Sequence, residues 1–182
     1  EAEKAVPGVT DHREELRQFF QDRLRVMLRD AGYTTLEVDA VLALNPGKLD
    51  ELPKRLAAVR AFMALPEAEA LTAANKRIGN ILKKIEGEVP TVVNEVLLAE
   101  DAEKQLFAAI NDVEPKALQH FAAGEYEQML ATLAVLRGPV DSFFDNVMVN
   151  AEDPALRATR QALLKRLYDV MNKVAEIARL AK

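Results

Sequence analysis

Residues 139–162, PVDSFFDNVMVNAEDPALRATRQA, read as helix, loop, long helix. The spacing predicts a short helix over 140–149 that carries Phe143, Phe144, Val147 and Met148. Asp153 is a good N-cap and Pro154 fits the first helical position, where its missing N–H costs nothing. From there Leu156, Leu163, Leu167, Val170, Val174 and Ile177 recur on one face, and the last helix is expected to reach the C-terminus. Immediately upstream, Gly138-Pro139 reads as a break closing a helix over 125–137, in which Tyr126, Met129, Leu130, Leu133 and Leu136 face inward.

Working back from there, Pro115 is expected to break or kink a helix that starts near Ala99, so that 116–123 continues separately to Gly124. Residues 89–98 read as a loose connection. The cleanest amphipath lies over 67–86. Leu71, Ala74, Ile78, Ile81, Leu82 and Ile85 form one stripe, while Lys76, Arg77, Asn80, Lys83 and Lys84 point the other way. Three helices precede it. The first is capped by Thr10 or Asp11 and runs to about Ala31, with Leu16, Phe19, Phe20, Leu24, Met27 and Leu28 expected to line a core. The second starts at Thr34 or Thr35 and stops at Asn45-Pro46-Gly47. The third opens at Asp50. Leu65-Pro66 is the sharpest boundary, giving a preceding segment 1–65 and a bundle 66–182. Strand signals are weak throughout, so the fold class is all-α, a bundle of about eight helices.

Composition agrees. The chain has 182 residues, 49% of them hydrophobic, with seven Gly and eight Pro. Helix formers dominate. It opens on Glu1 without a signal-peptide pattern and reads as a piece of a longer polypeptide. No stretch is long and apolar enough to predict a membrane span. The absence of cysteine removes disulfides, thiolate nucleophiles and Cys-based zinc sites, and His12 and His120 stand far apart. No catalytic or metal-ligating set is expected, and no glycine-rich phosphate loop. The cytoplasm fits this make-up. A net charge of −5 argues against coating nucleic acid through bulk charge, but a local basic face can still hold a few phosphates.

Several residues admit two readings. The cations of 67–86 form either a solvated face or a strip that positions RNA phosphates, with Asn80 able to read a base edge. Arg160 falls within the apolar face of the last helix. A buried guanidinium needs a carboxylate, and Asp141, Asp145 and Asp153 are the nearby candidates. It either pins the loop to the last helix or contacts nucleic acid. Adjacent residues on a helix point about 100° apart, so one of Phe143 and Phe144 can enter the core. The other, Phe144, would then offer a stacking ring at the margin; the second reading is that both are simply core aromatics. Arg157, Gln161, Lys165 and Asn172 form a polar stripe on the last helix, and Arg137 could meet a phosphate at the turn.

Three strings then carry a resemblance: FFQDRLRVMLRDAGYTTLEVDAVLAL (19–44), LTAANKRIGNILKK (71–84) and GEYEQMLATLAVLRGPVDSFFDNVMVNAEDPALRATRQALLKRL (124–167). Together they resemble the C-terminal region of the bacterial glycyl-tRNA synthetase β subunit family, from about His12 to Ala178. The match is weaker over 89–101 and in the final AEIARLAK. The resemblance implies a helical anticodon-binding domain, similar to that of arginyl-tRNA synthetase, over about 67–182. It also implies a role in the ATP-dependent attachment of glycine to its tRNA. The expected partners are the anticodon stem-loop of glycine tRNA, the rest of the β subunit and a catalytic α subunit. ATP would be used by the holoenzyme, with no cofactor in this part. Lys76, Arg77, Asn80, Arg157 and Arg160 fall inside matching blocks, and Lys83, Lys84, Arg137, Phe144 and Lys165 complete the candidate RNA-binding set. The alternative is a protein-docking scaffold that contacts the α subunit or the rest of β without binding RNA.

Overall fold

The computed structural model describes residues 13–181, and the expected caps at Thr10 or Asp11, like His12, lie outside them. The described residues fold into eight α-helices: α1 (Arg13–Asp30), α2 (Thr35–Leu42), α3 (Leu52–Met63), α4 (Ala68–Leu82), α5 (Asp101–Ala122), α6 (Tyr126–Leu133), α7 (Arg137–Asn146) and α8 (Pro154–Met171). Short 3-10 turns occupy Leu49–Glu51, Glu95–Leu97, Ala134–Leu136 and Ile177–Leu180. The described residues contain no strand. One apolar cluster runs from Leu28 to Leu180. In it α5 packs against α6, α7 and α8, and α3 lies on α6. On another side α4 meets α7, α8 and the C-terminal turn.

Local chemistry accounts for several element ends. Thr34 caps α2 in a reciprocal box: its hydroxyl accepts from the Glu37 N–H at 3.2 Å, and the Glu37 carboxylate accepts from the Thr34 N–H at 2.7 Å. Asp153 caps α8 by accepting from the N–H groups of Ala155 and Leu156. Gly32 follows α1 at φ +91°, a conformation that glycine adopts without strain.

Four expectations change. Pro115 does not interrupt α5, because Ile110, Val113 and Ala117 continue one buried stripe on both sides of it and hold the helix together across the missing hydrogen bond. Gly138-Pro139 opens α7 instead of breaking the chain, since proline is tolerated in a first turn whose N–H groups lack partners anyway. The last helix ends at Met171. There Asn172 donates to the Tyr168 carbonyl (2.8 Å) and accepts from the Ile177 N–H (3.0 Å), which turns the chain back. Buried Arg55 then donates to the returning carbonyls of Lys173 and Val174 at 2.9 and 3.0 Å, and the Glu176 N–H donates to the Ala40 carbonyl. Finally, α1 is not a core wall. Leu28 is buried and Leu24 half-buried, but Leu16, Phe19, Phe20 and Met27 are 55–60% exposed. Periodicity states which side chains share a face and is silent on whether another element covers it.

The strongest single tie is between α5 and α8. Glu103 is fully buried. One carboxylate oxygen accepts from the backbone N–H groups of Ala99 (2.9 Å) and Glu100 (2.8 Å), closing the start of α5. The other accepts from Arg160 Nε. Arg160 Nη1 continues to the Met148 carbonyl at 2.7 Å, in the connection between α7 and α8. The guanidinium therefore does pin that connection to α8. Its acid comes from α5, 57 residues away, and not from Asp141, Asp145 or Asp153. Six residues further along α8, Arg166 meets Glu114 and Asn111 of α5, both at 2.7 Å.

Arg160→Ala would leave the Glu103 carboxylate buried without its cation. We expect it to lower the unfolding free energy by about 3–5 kcal/mol, read by urea denaturation. A loss below about 1 kcal/mol would contradict the described pairing. A second expectation concerns acid. The Arg60 hydrogen bonds, with help from Thr34, hold the Glu37 carboxyl below its ordinary value of 4.5. The stability this contributes is complete above that ordinary value and is lost as pH falls through the lower folded value. Glu37→Gln should therefore lose less stability than the parent on acidification below pH 4.5. Parallel stability curves for the two proteins would count against it.

Candidate nucleic-acid interface

The sequence of α4 sorts into two stripes. Leu71, Ala74, Asn75, Ile78 and Leu82 are buried. Ala73, Lys76, Arg77, Asn80 and Ile81 of α4, with Lys84 and Ile85 just past its end, line an open cleft of about 510 Å3. Ile81 and Ile85, expected in the buried stripe, are half-buried and form part of this lining. The opposite wall comes from Gln161 of α8 and Asn150 of the α7–α8 connection. No carboxylate lines the cleft among the described residues.

The two helices run antiparallel. The Asn75 amide approaches Met171 Sδ at 3.9 Å, while four residues on, Gly79 faces Tyr168. A Cβ at Gly79 would come within 3.2 Å of the Tyr168 ring, so glycine sets the spacing of α4 and α8. Further along, Asn80 and Lys84 come opposite Gln161.

The electrostatics are unusual for a chain of net charge −5. Many cations elsewhere have acids, among them Arg25 with Asp39, Arg55 with Glu51, Arg60 with Glu37 and Arg166 with Glu114. The cleft is different. Among the described residues, Lys76, Lys84, Asn80, Asn150 and Gln161 have no side-chain hydrogen bond or ion pair. Arg77 has no acid either, and its guanidinium lies over the Phe144 ring, 4.2 Å from the centroid. That is a cation–π contact at a part-exposed site. Phe143 fills the core and Phe144 sits at its margin, as adjacent residues on one helix must. The two rings meet edge to face at 5.6 Å.

The sequence-expected set is thus divided. Lys76, Arg77, Asn80 and Lys84 converge, with Phe144 beneath Arg77. Lys83 is exposed just past the end of α4 and does not line the cleft. Arg157 donates to the Ala151 carbonyl at 2.9 Å, next to Asn150. Arg160 is withdrawn into the interior with Glu103, so its guanidinium presents no surface to a ligand. Arg137, at the start of α7, lies 3.5 Å from Asp141, and Lys165 lies 2.5 Å from Asp169. Asn172 is spent on the turn after α8. His120 contacts Glu125 at 2.7 Å, at the end of α5.

Two lining residues, Asn150 and Gln161, escaped the sequence-expected set. Gln161 stood in the polar stripe of the last helix, but nothing in its spacing singles it out from Lys165. Asn150 lies in a connection, where periodicity gives no direction.

Comparison with known proteins bears on this geometry. The family model of the DALR anticodon binding domain matches residues 71–178. The chain is 62% identical over 181 residues to the glycine–tRNA ligase beta subunit of Leptothrix cholodnii, covering 97% of this chain and 25% of that protein. It is 56% identical over 173 residues to the one from Delftia acidovorans, covering 95% and 25%. With the one from Janthinobacterium it shares 55% over 181 residues, covering 99% and 26%. The chain spans about a quarter of the length of the curated relatives it matches. The matched segment, 71–178, contains every residue that lines the cleft and the Arg160–Glu103 pair that fixes its far wall, and with more than half its length so matched the chain belongs to the DALR anticodon binding domain family.

Proposed function

We propose that this chain is the anticodon-binding part of a glycine–tRNA ligase beta subunit and that the α4–α8 cleft receives the anticodon stem-loop. The observation that carries the reading is the convergence of three cations without acids and three unpartnered amides in one cleft. Stable cores do not need such a cluster, and a polyanion with exposed base edges satisfies it. Lys76 and Lys84 neutralise phosphates, with Lys83 at the rim. Arg77 on Phe144 supplies a flat surface for stacking. Arg157 and Arg160 serve by holding the connection between α7 and α8.

This part contributes no catalytic residue and no cofactor site. Glycine attachment, with its ATP, belongs to the whole ligase in the cytoplasm. There the remainder of the beta subunit and a catalytic alpha subunit are its protein partners. No described helix is long and apolar enough to cross a membrane.

A protein-docking role has its own support in the exposed apolar face of α1, at Leu16, Phe19, Phe20 and Met27. It uses a different surface and is compatible with RNA binding at α4.

Filter binding tests the reading. Glycine tRNA should bind more tightly than the same tRNA with its anticodon replaced, and the affinity should fall as salt rises, because phosphate contacts release counterions. Lys76→Glu with Lys84→Glu should weaken binding by at least about tenfold, at a cost of more than about 1.4 kcal/mol. Equal affinity for both tRNAs would defeat the anticodon assignment, and no tRNA binding at any salt would leave only the docking role.

A further inference from the structure

We infer that the exposed apolar face of α1 is the seat of the remainder of the beta subunit, which docks there in cis and inserts one large apolar side chain beside Phe20. This rests on the beta-subunit reading above, independently of the cleft, and names the surface and its occupant.

Successive residues of a helix turn by about 100°, so Leu16, Phe20, Leu24, Met27 and Leu28 of α1 share one side, and Phe19 and Val26 widen it. The helix packs chiefly on α2. That contact covers only one edge of the apolar side. Leu28 is buried and Leu24 half-buried, whereas Leu16, Phe19, Phe20, Val26 and Met27 stay exposed. An amphipathic helix turns its apolar stripe to a core and its polar side to water. α1 has the stripe without the cover. The rings of Phe19 and Phe20 meet edge to face at 6.1 Å, both in the open. Contiguous apolar surface of this kind marks a contact site.

Beside Phe20 the surface is hollow. Phe20 and Leu24 of α1, Leu42 of α2, Pro46 and Leu49 of the α2–α3 connection and Leu52 of α3 line a socket of about 180 Å3. The Gln21 amide donates to the Asn45 side chain at 3.4 Å and ties α1 to that connection. Asn45 holds a left-handed conformation at φ +48°, one that asparagine tolerates better than most residues. A socket of this size takes a single leucine, methionine or phenylalanine side chain, the anchor-in-pocket arrangement on which protein contacts concentrate their affinity.

The surroundings specify the occupant. A groove of about 450 Å3 runs over Phe20, Leu24, Val26 and Met27, with Arg23 and Asp30 as its charged lining. Those charges cancel, so a polyanion finds little to hold there, while an apolar protein segment fits. The chain spans a quarter of the length of its relatives, so about three quarters of each such subunit lies outside it. The anticodon-domain model starts at residue 71 and leaves α1 out, whereas the match to the beta subunits runs through α1. A separate protein forms a stable interface with roughly 20–30 residues on each side. Leu49 and the five exposed apolar residues of α1 fall well short of that. A segment of the same polypeptide meets the face at high effective concentration and needs far less area.

Docking at α1 reaches the cleft through bonded elements. Arg25 of α1 pairs with Asp39 of α2 at 3.1 Å, the Ala40 carbonyl of α2 accepts from the Glu176 N–H at 2.8 Å, and the C-terminal turn packs on α4. The body that covers α1 therefore sets the direction in which the cleft faces.

The test uses the full-length beta subunit. Met27 and, separately, Leu16 are replaced by photoreactive p-benzoylphenylalanine, and the crosslinked peptides are mapped by mass spectrometry with and without the alpha subunit. Both positions should crosslink within the same subunit, to segments outside these 182 residues, whether or not the alpha subunit is present. Phe20→Glu should lower that yield about tenfold, the scale of losing one anchoring side chain, and Phe20→Leu should keep most of it. Crosslinks to the alpha subunit alone, to a second beta subunit or only within this chain would overturn the inference, as would no crosslink at all. An unchanged yield in Phe20→Glu would overturn it too. Filter binding of tRNA to the same subunits keeps the two readings apart: intramolecular crosslinks without tRNA binding would defeat the cleft and support the docking.

Discussion

A single buried carboxylate organises the region on which the functional reading depends. Glu103 closes the first turn of α5 with one oxygen and holds Arg160 of α8 with the other. Arg160 in turn takes the Met148 carbonyl. The start of α5 is thereby joined to α8 and to the connection that precedes α8. Burying two charges is favourable only when their remaining hydrogen-bonding capacity is met. Here backbone groups do much of that. The pair contributes less as raw stability than as specification, since it decides where the irregular segment before α8 must lie. Asn150 and the far wall of the cleft inherit their positions from it.

Charge is distributed to the same effect. The chain is acidic overall, and acids pair with Arg25 of α1, Arg55 of α3 and Arg166 of α8. On one face of α4 this stops. Lys76, Arg77 and Lys84 stand without acids, across from amides. A field built this way is local. It falls off within about 8–10 Å at ordinary salt, so the remaining negative surface does little to repel a polyanion seated in the cleft. Gly79 sets the width of the arrangement by letting Tyr168 approach α4 closely.

The all-α class and the order of helices were legible from periodicity, as were the caps at Thr34 and Asp153 and the split of Phe143 from Phe144. Half of the cleft was legible too, because Lys76, Arg77, Asn80 and Lys84 recur at helical spacing along one side of α4 and the turn just past its end. The other half was not. Asn150 sits in a segment without periodicity, and its direction is fixed by arginines bonded to carbonyl groups, which carry no side-chain signature. The acid for Arg160 was sought nearby and found on α5, because pairing in a bundle follows packing and not sequence distance. Proline misled in two places for the opposite reason. At Pro115 and Pro139 tertiary packing and first-turn geometry absorb what local rules count as a break. On α1 the apolar face was read correctly and its burial was not, since burial is a property of what lies opposite.

The central claim is that RNA enters between α4 and α8. Its most direct test is an NMR titration of the isotope-labelled chain with an anticodon stem-loop. The side-chain amide signals of Asn80, Asn150 and Gln161 should shift together, along with backbone signals of the exposed face of α4, while α1 stays still. Unmoved amides, with the shifts gathered on α1 or spread over the acidic surface, would contradict it.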